Sequence, residues 1–248
     1  MTEEFHAQTG EDIILSGIFG RQKRGCCLEV GALDGILNSI TLHFEELGWD
    51  CILIEANPEL AAKAAILRKA RVFPCAAGQA SGTIEMVMAR GADYLSTTNP
   101  TPAHLARIKE DGGTIERITV PVMRVDEALQ SAGVSRLDFA SIDVEGAELD
   151  VLRGFDLERW KPKVLVIEDN DPKVRGYLCA QGYRCFLHEG FNDWYARSDD
   201  AELLTFRRRF AERKRLVRKI LFAWTIGLLP VSFQTSIVRR KRKWFGKL

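Results

Sequence analysis

The fold of this chain is constrained most strongly by one apolar run, which contains an acid near its end and is followed by two glycines. Residues 26–30 read Cys-Cys-Leu-Glu-Val, and Gly31 and Gly35 follow, four residues apart. A short apolar run bounded by glycine is typical of a buried parallel strand that enters a tight turn, and the polar residues 38–41 favour a helix start. Glycine lets the backbone turn sharply or approach a ligand, and a helix start offers unpaired N–H groups. The pattern therefore predicts a strand, a turn and a helix that hold a ligand.

The spacing of the acid and the glycines indicates the kind of ligand. The dinucleotide fingerprint is G-x-G-x-x-G, in which the backbone approaches a pyrophosphate. Here the spacing is E-x-G-x-x-x-G, beginning at Glu29. An acid at a turn that lacks a phosphate motif suits a ligand with a cationic amino-acid end, such as S-adenosylmethionine. The same spacing disfavours a nicotinamide-dependent oxidoreductase, and a strand-turn-helix unit without any ligand is the alternative.

A second acid follows the next apolar run, Cys51 to Ile54, at Glu55. In nucleotide-binding α/β sheets an acid at this place holds a ribose diol, because one carboxylate accepts hydrogen bonds from both hydroxyls. The alternative is that Glu55 caps the helix that begins at Pro58. Small residues at 76–78 would let a flat adenine ring approach.

Strands and helices alternate along the chain, which predicts an α/β fold with a mostly parallel sheet wound right-handedly. The predicted strands of this sheet are 26–30, 51–54, 72–75, 137–142, 164–167, about 183–187 and about 193–197. A helix is predicted over 39–47. Residues 83–88 and 118–125 alternate apolar and polar, as edge strands around an insertion do, and residues 90–113 are long enough for a functional loop or lid.

Acidic side chains recur where the predicted strands end. They are Glu29, Asp34, Glu55, Asp143, Glu145, Glu168 and Asp169. Because the carboxyl ends of parallel strands meet at one edge of a sheet, these acids are expected to converge there. Crowded carboxylates repel, so each needs a cationic ligand, a metal or a proton. The sequence thus predicts one functional cleft at this edge.

Several segments together resemble the FkbM-type S-adenosylmethionine-dependent methyltransferases. These segments are Gln8-x-Gly10-Glu11-Asp12, residues 29–35, residues 38–41 with Glu45, Gly48 and Trp49, residues 54–58, and residues 142–148 with Val151 and Leu152. They occur in the family's order over roughly residues 5–197. The resemblance implies a seven-stranded, Rossmann-like class I methyltransferase fold and transfer of a methyl group to a hydroxyl, commonly of a sugar or a natural product.

The resemblance also implies which residues bind the cofactor. They are Gln8, Asp12, Glu29, Gly31, Asp34, Gly35, Glu55, Ala56 and Ala76. Within this set the turn from residue 29 to residue 35 matches the site of the methionine end, Glu55 matches the ribose acid and Ala76 the adenine side. The amino-terminal pair, Gln8 and Asp12, would close over cofactor or substrate.

Methyl transfer to a hydroxyl needs an acceptor oxygen held in line with the methyl group and a group that removes its proton. Asp143 or Glu145 could be the general base, and His188 could be a base or a sugar contact. Alternatively, Asp143, Glu168 and Asp169 could hold Mg²⁺, a hard cation that prefers oxygen ligands, in an arrangement similar to that of metal-dependent O-methyltransferases. A methyltransferase-like binding module without catalysis, tethered to a membrane, is the second hypothesis.

Charge divides the chain into two parts, a methyltransferase domain over 1–206 and a tail over 207–248. The tail carries fourteen Lys and Arg and one acid, whereas the rest carries 21 basic and 33 acidic side chains. Apolar residues at helical spacing predict a basic amphipathic helix, and its uninterrupted apolar part, 220–230, is about half of the roughly 20 residues that span a bilayer.

We therefore expect the tail to attach peripherally to an anionic membrane surface. Packing on the acidic body or against a second copy in a homo-oligomer is the alternative, and nucleic-acid binding is disfavoured because the body is acidic. The polar, acidic start of the chain lacks the pattern of a secretory signal, which predicts a cytoplasmic protein, with the tail at the inner face of the membrane. A small-molecule or glycan substrate is the expected partner.

Overall fold

The computed structural model describes residues 4–20, 22–168 and 171–205. The chain divides into two compact units, Met1–Asp200 and Ala201–Leu248. The first unit contains the sheets described below, and the described residues of the second, 201–205, are helical. The domain boundary predicted after residue 206 and the helix predicted in the tail lie outside the described residues and stay predictions.

A seven-stranded sheet forms the centre of the first unit. Its strands are β1 Cys26–Val30, β2 Asp50–Ile54, β3 Arg71–Phe73, β7 Phe139–Ile142, β8 Val164–Glu168, β9 Tyr183–Glu189 and β10 Asn192–Arg197. They lie in the order β3, β2, β1, β7, β8, β10, β9, and β10 alone is antiparallel to its neighbours. This order confirms the predicted Rossmann-like, mostly parallel sheet of a class I methyltransferase.

Eight α-helices accompany the sheets in the described residues of the first unit. They are α1 Glu11–Phe19, α2 Leu42–Glu46, α3 Pro58–Leu67, α4 Pro102–Glu110, α5 Val125–Ser131, α6 Glu148–Arg153, α7 Leu157–Trp160 and α8 Pro172–Ala180. Three of them begin with the same local device, in which the side chain of Asn57, Thr101 or Asp171 accepts a hydrogen bond from the first turn. Proline follows each of these caps, and its missing N–H costs nothing at that position.

A smaller sheet forms an insertion between β3 and β7. Its strands are β4 Ala76–Ala77, β5 Gly82–Arg90 and β6 Thr114–Met123, in the order β4, β6, β5. The antiparallel pairing of β5 with β6 confirms the predicted edge strands. The connection between them is not a plain loop, because it contains a 3-10 helix, Asp93–Leu95, and α4.

Two predicted boundaries were wrong. The strand predicted over 72–75 ends at Phe73, and the chain then crosses to β4 in the small sheet. The helix predicted over 39–47 begins at Leu42, since backbone N–H groups of Ile40 and Thr41 donate to Glu29 instead of starting a helix.

The large sheet is buried on both faces. On one face, apolar residues of the central strands, among them Leu28 and Ile142, pack against α5, α6, α7 and α8. On the other face, Phe139 meets the rings of Phe19 and Phe44 at centroid distances of 5.7 and 4.9 Å. Each large apolar side chain buried in this way contributes about 1.5–3 kcal/mol.

The strand order reverses between β1 and β7, because the chain builds β2 and β3 on one side and then returns to add β7 on the other. In open α/β sheets, ligands bind at such a reversal, beyond the carboxyl ends of the strands. None of the helices in the described part of the chain has the length and apolar character that a membrane span requires.

Candidate active site

A cavity of about 600 Å³ opens at the carboxyl ends of β1, β2, β7 and β8. Its wall includes Glu29 near the end of β1, Gly31 after β1, Glu55 after β2, and Asp143 after β7. The volume lies in the range of roughly 300–1,000 Å³ that small-molecule sites occupy. The strand-end acids of the central strands thus meet at one site, as parallel topology predicts.

Gly31 is required by the packing of the strands. Its φ is +84°, and its N–H donates to Ile54 O at 2.9 Å. A Cβ at this position would lie 1.7 Å from the carbonyl oxygen of Asp143. Any side chain here would force the ends of β1 and β7 apart, so this glycine keeps two walls of the cavity together.

Glu29 fastens the segment that leads into α2. Its carboxylate accepts from Ser39 Oγ at 2.8 Å, Ile40 N at 2.8 Å and Thr41 Oγ1 at 2.5 Å. The guanidinium of buried Arg68 donates to the same two hydroxyl groups, at 3.0 and 3.2 Å. Glu29 therefore shapes the cavity wall through hydrogen bonds within the protein, and its role as a ligand for a cationic group stays a prediction.

Glu55 is buried at the end of β2, with 5% of its surface exposed, and lines the cavity. One oxygen accepts from Leu33 N at 2.8 Å and the other from Asn57 N at 2.7 Å. Burial raises the pKa of Glu55 to about 7, and the backbone hydrogen bonds oppose that rise. Since each carboxylate oxygen can accept a second hydrogen bond, Glu55 retains acceptor capacity for a diol.

Small side chains continue the wall beside Glu55. Ala56, Cys75, Ala76 and Ala77 all line the cavity, and Ala76 is 6% exposed. These residues place no long side chain in that part of the wall, as the adenine prediction requires.

Three carboxylates form a cluster on the opposite side. Oxygen atoms of Asp143, Glu145 and Glu168 all lie within 4.8 Å of one another. Asp143 has accessible surface, but that surface faces the cavity, and the protein around it removes much of its hydration. Burial, followed by the negative charges of Glu168 and Glu145, raises the pKa of Asp143 well above its usual range.

Because the oxygens of Asp143 and Glu168 lie within 4.8 Å of each other, the negative charge of Glu168 favours the protonated form of Asp143. Burial also raises the pKa of Glu168 and of Glu145. Glu145 stands in the left-handed region at a φ of +53°, an uncommon conformation for a residue with a side chain. The pair and its neighbour therefore hold fewer negative charges than their three carboxylates suggest. Asp169, the third metal ligand predicted from the sequence, lies outside the described residues.

Comparison with known families decides the class of this fold. The model of the methyltransferase FkbM domain matches residues 29–185, which is more than half of the chain. The chain belongs to the FkbM methyltransferase family. The match begins at Glu29 in β1 and includes Glu55 and the carboxylate cluster. It confirms the resemblance found in the sequence. No curated protein sequence matches this chain.

Solved structures similar to this FkbM domain are also methyltransferases by description. A candidate RNA methyltransferase from Pyrococcus horikoshii is 11% identical, with 76% of this chain and 83% of that chain covered and a TM-score of 0.38. Precorrin-6y C5,15-methyltransferase from Geobacter metallireducens is 13% identical, with coverage of 79% and 90% and a TM-score of 0.38. M. capricolum TrmK in complex with S-adenosyl-homocysteine is 8% identical, with coverage of 89% and 91% and a TM-score of 0.35.

The amino-terminal motif of this FkbM methyltransferase contributes Gln8 and Glu11 to the cavity. Glu11 accepts from Thr9 N at 2.9 Å and from Asn192 Nδ2 at 2.9 Å, which joins the motif to the start of β10. Asp12 is fully buried and accepts from the backbone N–H groups of residues 6 and 7 instead. Gln8 therefore reaches the cavity wall as predicted, whereas Asp12 shapes the segment behind it.

Three further predicted residues do not line the cavity. Asp34 accepts from the backbone N–H groups of residues 36 and 37 and closes a turn. Gly35, at a φ of +78°, packs against Arg68, whose Cγ would be 2.9 Å from an added Cβ. The His188 side chain is 68% exposed and its Nδ1 lies 2.7 Å from Asp193 Oδ1. Their predicted contacts with cofactor or substrate find no place in the cavity.

Sequence reasoning missed the contribution of the insertion. Tyr94, Thr97 and Arg107 line the cavity from the segment that connects β5 and β6. Thr97 Oγ1 donates to Glu145 O at 2.8 Å, and Asn99 Nδ2 donates to Gly146 O at 2.7 Å. These bonds hold the segment against the left-handed turn after β7. The only sequence signal was the length of the connection, which suggested a lid.

Proposed function

We propose that this FkbM methyltransferase is an S-adenosylmethionine-dependent O-methyltransferase that acts on a hydroxyl of a saccharide, in a glycan, glycolipid or natural product. The observation that carries the proposal is the division of one cavity into a nucleoside side around Glu55 and a carboxylate side around Asp143. Cofactor binding and proton removal would thus occur side by side.

The residues around Glu55 fit the nucleoside of S-adenosylmethionine. The Glu55 carboxylate has capacity to accept from the ribose hydroxyls, and the alanines at 56, 76 and 77 leave room for a flat base. Glu29 and the turn at Gly31 stand where the predicted methionine end would lie. When bound, the cofactor supplies a methyl group that the positive charge on sulfur has already activated.

The carboxylate cluster fits the removal of the acceptor proton. A carboxylate is a better proton acceptor when its pKa lies closer to the working pH, and burial shifts the pKa of Asp143, Glu145 and Glu168 in that direction. The neighbouring carboxyl groups of Asp143 and Glu168 can together carry one proton and one negative charge. In this role the pair orients the hydroxyl and accepts its proton.

The same oxygens also fit a hard cation. Asp143, Glu145 and Glu168 offer three carboxylate ligands at compatible spacing, and Mg²⁺ bound there would lower the pKa of an acceptor hydroxyl. Metal dependence is tested by treating the enzyme with EDTA. We expect transfer to fall and to return with Mg²⁺, whereas full activity after EDTA would leave proton removal to the carboxylates alone.

The mouth of the cavity supports a saccharide acceptor. Tyr94 and Phe191 line the same cavity as the carboxylates, with 47% and 60% of their surface exposed. Aromatic rings pack against the C–H faces of sugars, and carboxylates accept from sugar hydroxyls. An acceptor that contacts neither the aromatic rings nor the carboxylates would contradict a saccharide as the acceptor class.

Two measurements on the full chain test the proposal. Calorimetry should detect binding of S-adenosylmethionine, and mass spectrometry of glycans should find a methyl ether in cells with the gene and not in cells without it. Cofactor binding without any methylated product would favour the binding-module hypothesis. Absence of cofactor binding would refute both hypotheses.

Peripheral membrane attachment through residues 207–248 belongs to the same proposal, and those residues lie outside the described part of the chain. Their fourteen basic side chains support attraction to anionic lipid, at about 1 kcal/mol for each one near the surface. We expect the full chain to float with anionic liposomes and a chain that ends at residue 206 to remain behind. Equal flotation of both would refute a membrane role for the tail.

A further inference from the structure

Arg107 is the only basic side chain among the described residues that line the cavity. Seven acidic residues line the same cavity, including the cluster of Asp143, Glu145 and Glu168. An acidic cavity suits the cationic cofactor of the proposed function. It does not by itself explain Arg107, a solvent-exposed arginine that lines the same cavity.

The guanidinium of Arg107 makes no hydrogen bond or ion pair with a residue in the described ranges, although its charge partly opposes the pKa rise that burial causes in Glu145 and Glu168. Other arginines of the insertion are paired. Arg90 binds Glu59 and Glu116 at 2.7 Å each, and Arg117 binds Glu85. Arg107 therefore keeps its donors available beside the carboxylates.

The helix that carries Arg107 is held firmly relative to those carboxylates. Thr101 caps the start of α4 by accepting from His104 N. The His104 ring contacts Leu95 O at 2.7 Å, and Asn99 holds the carbonyl of Gly146 at 2.7 Å. The start of α4 is thus held beside the turn that carries Glu145, and Arg107 lies one turn further along the same helix.

A ligand between Arg107 and the cluster must satisfy two different demands. The carboxylates need hydroxyl donors, and the guanidinium needs an acceptor that carries negative charge, for which its planar fork is suited. A sugar with an acidic substituent presents both groups on one ring. A neutral sugar would leave the guanidinium unpaired, and an anion without hydroxyls would be repelled by the cluster.

We propose that Arg107 binds the negatively charged substituent of an acidic saccharide acceptor, and thereby sets a neighbouring hydroxyl against Asp143, Glu145 and Glu168. The shared chemistry is an anionic sugar, whether its charge is a carboxylate or a phosphate. This inference rests on the proposed function, and it makes Arg107 a specificity-determining residue of the acceptor side.

The test compares three acceptors with the full-length enzyme: the methyl glycosides of glucuronic acid and of glucose, and a glucose phosphate monoester. For each, kcat/KM is measured with radiolabelled S-adenosylmethionine for the wild type, Arg107→Met and Arg107→Lys. Lys109→Met, a change of an exposed cation on the same helix outside the cavity, is the matched control. Calorimetry with S-adenosylhomocysteine verifies for every variant that the cofactor side is formed.

We expect the wild type and Lys109→Met to prefer one or both anionic acceptors over the neutral glycoside. Arg107→Met should reduce that preference by about ten- to hundredfold, as loss of a charge-assisted bidentate contact does, and Arg107→Lys should retain part of it. Comparison of the glucuronic acid glycoside with the glucose phosphate shows whether the site prefers a carboxylate or a phosphate.

Equal use of neutral and anionic acceptors by the wild type, or an equal loss on all three in Arg107→Met, would overturn the role of Arg107 and leave the proposed function standing. Absence of transfer to all three, with cofactor binding intact, would instead refute the saccharide acceptor and this inference with it.

Discussion

The two sides of the cavity handle negative charge in opposite ways. On the β1 and β2 side, Glu29 and Glu55 are 6% and 5% exposed, and each accepts hydrogen bonds from backbone or hydroxyl donors of the protein. On the β7 and β8 side, Asp143, Glu145 and Glu168 crowd together, and the negative charges of Glu168 and Glu145 add to burial in raising the pKa of Asp143. The first side is rigid and satisfied by itself, whereas the second is ready to exchange a proton or bind a cation.

This difference indicates a division of labour. Carboxylates held by fixed donors present a constant shape, which suits recognition of a cofactor that every reaction uses. Carboxylates whose pKa values are raised by one another's negative charge as well as by burial respond to what binds beside them, which suits chemistry on the acceptor. Changes on the two sides should therefore affect different measured quantities.

The largest effect is expected from Asp143→Asn. Asparagine keeps the size of the side chain and can donate to Glu168, but it cannot accept a proton, so kcat should fall by roughly 10²–10⁴-fold. The dissociation constant of S-adenosylhomocysteine, measured by calorimetry, should change little. Asp150→Asn, at an exposed acid of α6, is the control. If Asp143→Asn changed the Kd of S-adenosylhomocysteine as much as it changed kcat, the two sides of the cavity would not act separately.

Glu55→Gln changes the other side of the cavity and should weaken the binding of the cofactor. It removes a charged acceptor from the nucleoside side, so we expect the affinity for S-adenosylmethionine to fall by about ten- to hundredfold in calorimetry. At saturating cofactor, turnover should recover most of its wild-type value. Glu110→Gln, an exposed carboxylate at the end of α4, serves as the control, and unchanged affinity in Glu55→Gln would refute the ribose assignment.

A smaller effect is expected where the insertion supports the acceptor side. Thr97→Val removes the donor to Glu145 O and should reduce kcat by about tenfold, because loss of one buried hydrogen bond costs about 1 kcal/mol or more. Thr97→Ser keeps the hydroxyl and should restore turnover. Equal kcat values for the valine and serine variants would show that this bond does not position Glu145.

The smallest effect concerns stability and pH. Burial raises the pKa of Glu55 from 4.5 to about 7, so the folded protein binds this proton more tightly than the unfolded chain. Its contribution to stability is present at low pH and is lost as pH rises through about 7. We expect the melting temperature of the ligand-free protein to fall between pH 5 and pH 8, and Glu55→Gln to show a smaller fall. The carboxylate cluster shifts in the same direction, so some slope should remain, and an unchanged slope in Glu55→Gln would contradict the raised pKa.

Part of this site followed directly from the order of residues along the chain. Glu55, Asp143 and Glu168 each end a strand of a parallel sheet, and topology alone brings such residues to one edge. Asp34 and His188 also follow or end predicted strands, yet neither lines the cavity, because each is taken by a local partner within five residues. The direction of a side chain in a turn depends on such contacts, and strand patterns do not report it.

Residue order alone was enough to predict the FkbM family, the alternation of strands and helices, and the edge at which the acids collect, since these depend on short motifs, local periodicity and the rules of parallel sheets. Tertiary packing was needed to bring Asp143 and Glu168 into one carboxylate cluster, to satisfy Glu29 within its own wall, and to bring Arg107 of α4 to the cavity. The reason is distance: these contacts join residues far apart in the chain, and their energies depend on separations and burial that exist only once the sheet and its insertion have packed.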